Sequence, residues 1–336
     1  MRVGVVSVDT WTRTGFTLDP ETVAEAVFSW PDLHPFVFSY NLFTWNCYAV
    51  TSLDAAAVVG DRAEERMATE HKSIAQELFN SYRRKETFRP LENSGTLEEA
   101  YAIQDEFQRL LIADGAGDIV GYKIALTSPA MQAFVGLDHP CGGAIFASRV
   151  LGSPQIVDLS DFQHLGVECE IAVRLKADLP MLPDGHSLET VAPFVGAVMP
   201  AFELVEDRDA NYDEIDAFSL IAGNSWNAAN ILGPAVTNVQ ELNLPTLRGV
   251  LRVNGTVIDE GTGADALGNP LAAVAWLADE LAGQGKVLQA GMIVMTGSIV
   301  TTYFPQPGDR LGFMVDGLGT AELALTFTEP ALKAQT

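Results

Sequence analysis

With 336 residues, 48% of them hydrophobic, the chain has enough apolar material for one large domain or two modest ones, each with a packed core. Its formal net charge of -24 repels polyanions, which argues against nucleic acid and anionic membrane surfaces as partners. Cys47, Cys141 and Cys169 are odd in number and widely spaced, so they suggest neither a disulfide framework nor a thiolate zinc site, and a reducing cytoplasm fits them best.

The opening MRVGVVSVDTWTRTGF is too brief and too weakly basic at its front for a secretory signal, and no stretch has the length and apolarity of a membrane helix. Residues 1–66 show no sustained period, and the character of the chain changes at Met67. This segment reads either as a small accessory layer or as an extension from an upstream start codon. The working domain is expected over 67–330, with a helical part over 70–116 and a β core over 117–330. Ser73–Lys85 and Leu97–Ile112 have helical periodicity, the second with Ala100, Ile103, Phe107 and Leu110 on one face and a capping box of Thr96 with Glu99. Short β-type runs follow: IVGYKIAL, ECEIAVRL, GAVMPAFEL, GVLRV, MIVMTG, RLGFMV and TAELALTF. Asn254-Gly255 suits a type I′ hairpin, and Asp316–Gly319 reads as the last hairpin turn. A helix interrupts the strands from Pro270 to Ala282, with Asn269 as cap and Leu271, Val274, Ala278 and Leu281 facing inward.

If ECEIAVRL is a strand, Cys169, Ile171, Val173 and Leu175 share one apolar face and Glu168 and Glu170 the other. Two neighbouring carboxylates repel, so they either face water or share a cation. In VMPAFELVEDR, Glu203 stands among small apolar residues, just before Asp207 and Arg208; taken alone it would be a strand end or a weak surface ion pair. Three carboxylates on neighbouring strands, by contrast, offer the hard oxygen ligands that Mg²⁺ or Mn²⁺ prefers. In IVGYKIALTS, Lys123 shares its face with Gly121, Ala125 and Thr127. Either its stem lies over the core with the ammonium in water, or the small neighbours leave room for a ligand and desolvation lowers its pKa towards proton transfer.

Read together, GYKIALTS, LDHPCGGAIF, VECEIAV, MPAFELVEDR, LIAGNSWNAANILG, NGTVIDEGTGADALGNPLAAVAWLADEL and AGMIVMTGS resemble the 2-keto-4-pentenoate hydratase and 4-oxalocrotonate decarboxylase family of the fumarylacetoacetate hydrolase superfamily. The resemblance runs in order from about Leu97 to Phe327. It implies an α+β fold with a rolled, mixed β-sheet core and peripheral helices, and assembly into homo-oligomers. It also implies Mg²⁺ or Mn²⁺ on Glu168, Glu170 and Glu203, a catalytic Lys123, and Ser298 against the substrate carboxylate, with Thr127 and Arg208 as further substrate-binding candidates. Two departures stand out. Cys141 and Gly142 replace an acid common in relatives before G-x-L-F, and Ala222, Gly223, Asn224 replace A-D-N. The first bears on the substrate more than on metal binding.

The implied reaction is addition of water to a small 2-hydroxy-2,4-dienoate, with decarboxylation of an oxo diacid as the alternative. Acylpyruvate hydrolysis is a further reading; it needs a histidine and acid pair, and His34, His71, His139, His164 and His186 form no evident motif of that kind. A catalytically silent partner subunit is the reading from another class, against which the retained glutamates and Lys123 weigh.

Overall fold

The computed structural model describes residues 36–41, 44–49, 52–92 and 95–329, and side chains from residue 66 onwards. The opening run read above as too short for a leader, and His34, lie outside the described residues. The chain divides into two compact units, Met1–Ala68 and Thr69–Thr336. In the first, β1 (Phe36–Asn41) and β2 (Thr44–Ala49) pair antiparallel, with Phe36 opposite Ala49. Helix α1 (Ser52–Arg83) follows and begins well before the expected Ser73. Its earlier part is rich in Ala, Glu and Arg and free of proline, a composition that favours helix without any apolar period.

In the second unit α2 (Leu97–Leu111) carries the expected capping box, with Thr96 and Glu99 satisfying each other's backbone N–H groups. Ala100, Ile103 and Phe107 are buried, and Leu110 is partly so, its place taken by Leu111. Next come β3 (Ile119–Ala125), α3 (Pro129–Phe134), β4 (Cys141–Phe146), β5 (Val150–Gly152), β6 (Gln155–Asp158), β7 (Leu165–Leu175), α4 (Leu188–Val191) and β8 (Val195–Glu206). They are followed by α5 (Ala217–Ala222), β9 (Asn227–Leu232), β10 (Arg248–Val253), β11 (Thr256–Thr262), α6 (Pro270–Gly283), β12 (Ile293–Met295), β13 (Arg310–Val315) and β14 (Gly319–Thr326). The β10–β11 turn has Asn254 at φ 52° and Gly255 at φ 84°, the left-handed pair that a type I′ hairpin requires. Asn269 caps α6 by accepting the Leu271 N–H, and Val274, Ala278 and Leu281 are buried.

Two sheets pack together: a seven-stranded mixed sheet ordered β4-β3-β12-β7-β8-β9-β5 and a five-stranded sheet ordered β11-β10-β13-β14-β6. On one face of the larger sheet, Ile145 of β4, Ile293 and Met295 of β12, Ala172 of β7, Met199 and Ala201 of β8 and Leu232 of β9 form a single buried cluster. Side chains from strands near opposite edges meet there, so this face is concave and the sheet is rolled around it. The opposite face enters the main core with α2, α6 and the five-stranded sheet, where the rings of Phe202 and Phe313 stand 6.2 Å apart. Phe202 is fully buried at this junction. Phe202→Ala is expected to lower unfolding stability by about 3–5 kcal/mol, read as a lower urea midpoint with an unchanged slope. Among the described residues no helix is long and apolar enough to cross a membrane.

Candidate metal centre and active-site cavity

Strand register assembles the site. In the antiparallel β7–β8 pair Glu168 stands opposite Glu203, and Glu170 opposite Ala201. Side chains that face each other across a pair share a face, so the three carboxylates all enter the concave side, where Ala201 is small enough to leave room. One oxygen from each of Glu168, Glu170 and Glu203 lies within 4.8 Å of the others. Lysine arrives from two strands away. Ile293 of β12 stands opposite Arg174 of β7, and Met295 pairs with Lys123 of β3, which carries Lys123 onto the same face. Its Nζ lies 3.2 Å from Glu203 Oε1.

Water is nearly excluded: Glu170 and Glu203 are 0% exposed and Lys123 2%. Burial alone would pull the Lys123 ammonium down, but the carboxylates of Glu203, Glu168 and Glu170 outweigh it and hold the lysine above its ordinary value. The expectation that desolvation would lower this pKa is therefore corrected by the three acids around it. Burial pushes the Glu170 carboxyl well up, Glu203 and Glu168 add to the shift, and the Gly297 N–H opposes it. Burial likewise raises Glu203, against the pull of Lys123.

The remaining contacts show which oxygens are engaged. Thr302 Oγ1 donates to Glu168 Oε1 at 3.0 Å, the Gly297 N–H to Glu170 Oε2 at 2.8 Å, and Asn227 Nδ2 to Glu203 Oε1 at 2.9 Å. Glu170 Oε1 and Glu203 Oε2 are buried with no hydrogen-bond partner. Such orphaned buried carboxylate oxygens are costly, and a shared divalent cation is the group that would satisfy them. The all-oxygen donor set fits a hard ion such as Mg²⁺ or Mn²⁺. Gly297 stands at φ 101°, and a Cβ there would lie 2.3 Å from Thr127 Cγ2, so the turn that aims its N–H at Glu170 needs glycine.

Above these acids opens a cavity of about 590 Å³ with Lys123, Glu168, Thr127, Ser225 and Ser298 on its wall. The Ser298 hydroxyl donates to Val300 O at 2.7 Å and accepts the Cys169 N–H at 3.2 Å. Arg208 stands elsewhere. Strand β8 ends at Glu206, Arg208 and Asp209 take left-handed φ of 52° and 56°, and the guanidinium turns to Ser81 Oγ at 3.1 Å and the Glu86 carbonyl at 3.3 Å. It lies over the Phe88 ring and is absent from the wall of this cavity.

Several residues take up contacts around the site that their place in the sequence does not signal. Asn227 and Asn230 of β9 bond each other beside Glu203, and Asn230 pairs with it across the sheet. Asn224, the residue shared with A-D-N, accepts the Ala144 N–H and donates to the Ala144 carbonyl, bracing β4 as a further strand would; the departure itself lies at Gly223. Cys141 is buried with Sγ 3.6 Å from Ser225 Oγ. His164 and Asp207, distant in sequence, pair at 2.8 Å at the rim, and the Tyr212 hydroxyl donates to Asp207 at 3.0 Å. No spacing signals that pair, because only the β7–β8 register brings Leu165 opposite Glu206.

Comparison with known proteins agrees with this architecture. Residues 138–326 match the fumarylacetoacetate (FAA) hydrolase C-terminal family. A 4-oxalocrotonate decarboxylase of Pseudomonas putida is 36% identical over 225 residues, covering 67% of this chain and 84% of the relative. A 2-keto-4-pentenoate hydratase of Burkholderia vietnamiensis (strain G4 / LMG 22486) is 34% identical over 260 residues, covering 76% and 97%. Among solved structures, the 4-oxalocrotonate decarboxylase from Pseudomonas putida G7 complexed with magnesium and adipate superposes with a TM-score of 0.71 at 31% identity, covering 76% of this chain and 97% of that one. The chain therefore belongs to the fumarylacetoacetate hydrolase superfamily, among the 2-keto-4-pentenoate hydratases and 4-oxalocrotonate decarboxylases.

Proposed function

We propose that this chain is a divalent-metal-dependent lyase that adds water to a small 2-hydroxy-2,4-dienoate, giving a 4-hydroxy-2-oxo acid. The observation that carries the reading is the convergence of Glu168, Glu170 and Glu203, two of their oxygens unpartnered, with the Lys123 ammonium 3.2 Å from Glu203. Glu168, Glu170 and Glu203 would hold Mg²⁺ or Mn²⁺, which supplies Lewis-acid stabilisation of negative charge developing at the substrate C2 oxygen. Lys123 moves the proton between the dienol oxygen and the carbon chain during tautomerisation, before water adds at C4. The carboxylates that raise its pKa keep it charged as a proton donor. Ala125, two residues along β3 and also on the cavity wall, is small enough to leave space for the substrate beside the lysine. Thr127 offers a hydroxyl on the wall. Ser298 contributes through its backbone N–H, which has no partner among the described residues while its hydroxyl is engaged by Val300 and Cys169.

The second reading is release of CO₂ from a 2-oxo-enedioate, supported by the decarboxylases at 36% identity and at a TM-score of 0.71. Both outcomes draw on the same electron sink. The chain works, on this reading, as a homo-oligomer in a reducing cytoplasm, where the buried free thiols of Cys141 and Cys169 persist. The test is a panel of 2-hydroxydienoic and 2-oxo-enedioic acids assayed with and without chelator, following dienol absorbance and CO₂ separately. Chelator-sensitive loss of the dienol without CO₂ is expected. CO₂ release would move the assignment to the second reading. Turnover of none of the acids, together with tight binding to another family member, would assign the chain as a silent subunit.

A further inference from the structure

The wall of the cavity combines two kinds of residue. Besides its polar and acidic groups it carries the large apolar side chains of Met131 and Phe134 of α3, Ile215, Leu220 and Phe304. Met131, Phe134 and Phe304 are 44%, 49% and 38% exposed, large apolar side chains on the wall that no protein surface covers. At about 590 Å³ the space is of the size that takes a drug-sized ligand, and a five-carbon acid would leave most of it unfilled. Charge points the same way. Lys123 is the only lysine or arginine among the described residues of the wall, and it is already paired with Glu203. Against it the wall carries Glu168, Asp207, Asp259, Glu260 and Asp265. Arg248 matches Glu260, and any charge on His164 is matched by Asp207, so neither supplies a free cation for a second carboxylate.

Resting on the lyase reading above, we propose that the substrate is a monocarboxylate whose far end is uncharged and bulky, an alkyl or aryl substituent, and that this cavity disfavours a second carboxylate. Seating an apolar tail against Met131, Phe134, Ile215 and Leu220 gains about fourfold in affinity per buried methylene. A distal carboxylate would lose water beside Asp259 and Asp265, with no cation among the described residues of the wall free to receive it. The solved relative holding adipate takes a dicarboxylate, so the inference separates this chain from that protein.

The test is calorimetric binding of saturated 2-oxo acids to the Mn²⁺-loaded full chain, which needs no turnover. 4-Phenyl-2-oxobutanoate is expected to bind at least about tenfold more tightly than 2-oxobutanoate. 2-Oxohexanoate is expected to bind at least about tenfold more tightly than 2-oxoadipate, which has the same carbon count. Met131→Arg should shift that second ratio towards 2-oxoadipate by about tenfold, with Phe304→Arg as a second variant at another exposed position of the wall. Equal or tighter binding of 2-oxoadipate by the unaltered chain overturns the inference and leaves the lyase reading standing. Absence of ion-dependent binding for every acid overturns the lyase reading, and the inference with it.

Discussion

Lys123→Met is expected to slow turnover by about 10²-fold or more while the protein still takes up its divalent ion. Methionine keeps most of the stem that fills the space between β3 and β8, so the loss reports the ammonium rather than a void. The carboxylates remain, and Asn227 still donates to Glu203, which keeps that side chain in place. Removing one member of a buried ion pair leaves the other uncompensated, so the chelator-treated variant should also lose stability, by about 3–5 kcal/mol. Added Mn²⁺ should restore part of it, because the ion takes over the counter-charge. Single-turnover kinetics and ion titration on the same preparation separate the two effects. A Lys123→Met enzyme with unchanged turnover would remove the lysine from the chemistry.

Glu170→Gln should act in the opposite sense on the two properties. Glu170 is fully buried, one of its oxygens has no partner, and two further carboxylates face it. Without an ion the buried carboxyl must either stay charged beside two others or take up a proton at neutral pH, and an amide avoids both, so the chelator-treated variant is expected to melt above the chelator-treated parent. The same change removes a ligand oxygen. Mn²⁺ affinity is expected to fall by more than the roughly 10–100-fold that follows loss of a partner outside the ligand set. The parent should show a melting temperature that climbs with Mn²⁺ concentration and the variant a nearly flat response. A variant that melts lower without metal, yet responds to Mn²⁺ as the parent does, would assign Glu170 a structural role instead.

How the site could be read from sequence depends on which contacts are local. The alternation in ECEIAVRL is enough to put Glu168 and Glu170 on one face, and the caps at Thr96 and Asn269 follow from neighbours a few residues apart. Whether that face meets water or a cation is a different matter, settled by how far the sheet rolls, and no strand carries that information alone. Glu203 reaches Glu168 through an eleven-residue strand pairing, and Lys123 reaches Glu203 across the intervening β12 and β7. β9 was not expected because asparagine is uncommon in strands, yet Asn227 and Asn230 are there to bond Glu203 and each other. Arg208 misleads for a converse reason. It follows the acidic strand by two residues, but left-handed backbone at Arg208 and Asp209 turns it out of the sheet and towards Ser81.

The most direct examination is anomalous diffraction from crystals soaked in Mn²⁺. The account requires one strong peak among the carboxylate oxygens of Glu168, Glu170 and Glu203, on the concave side of the sheet and next to the Lys123 ammonium. A peak at some other cluster of acids, or no peak between these three in crystals that diffract well, would contradict it.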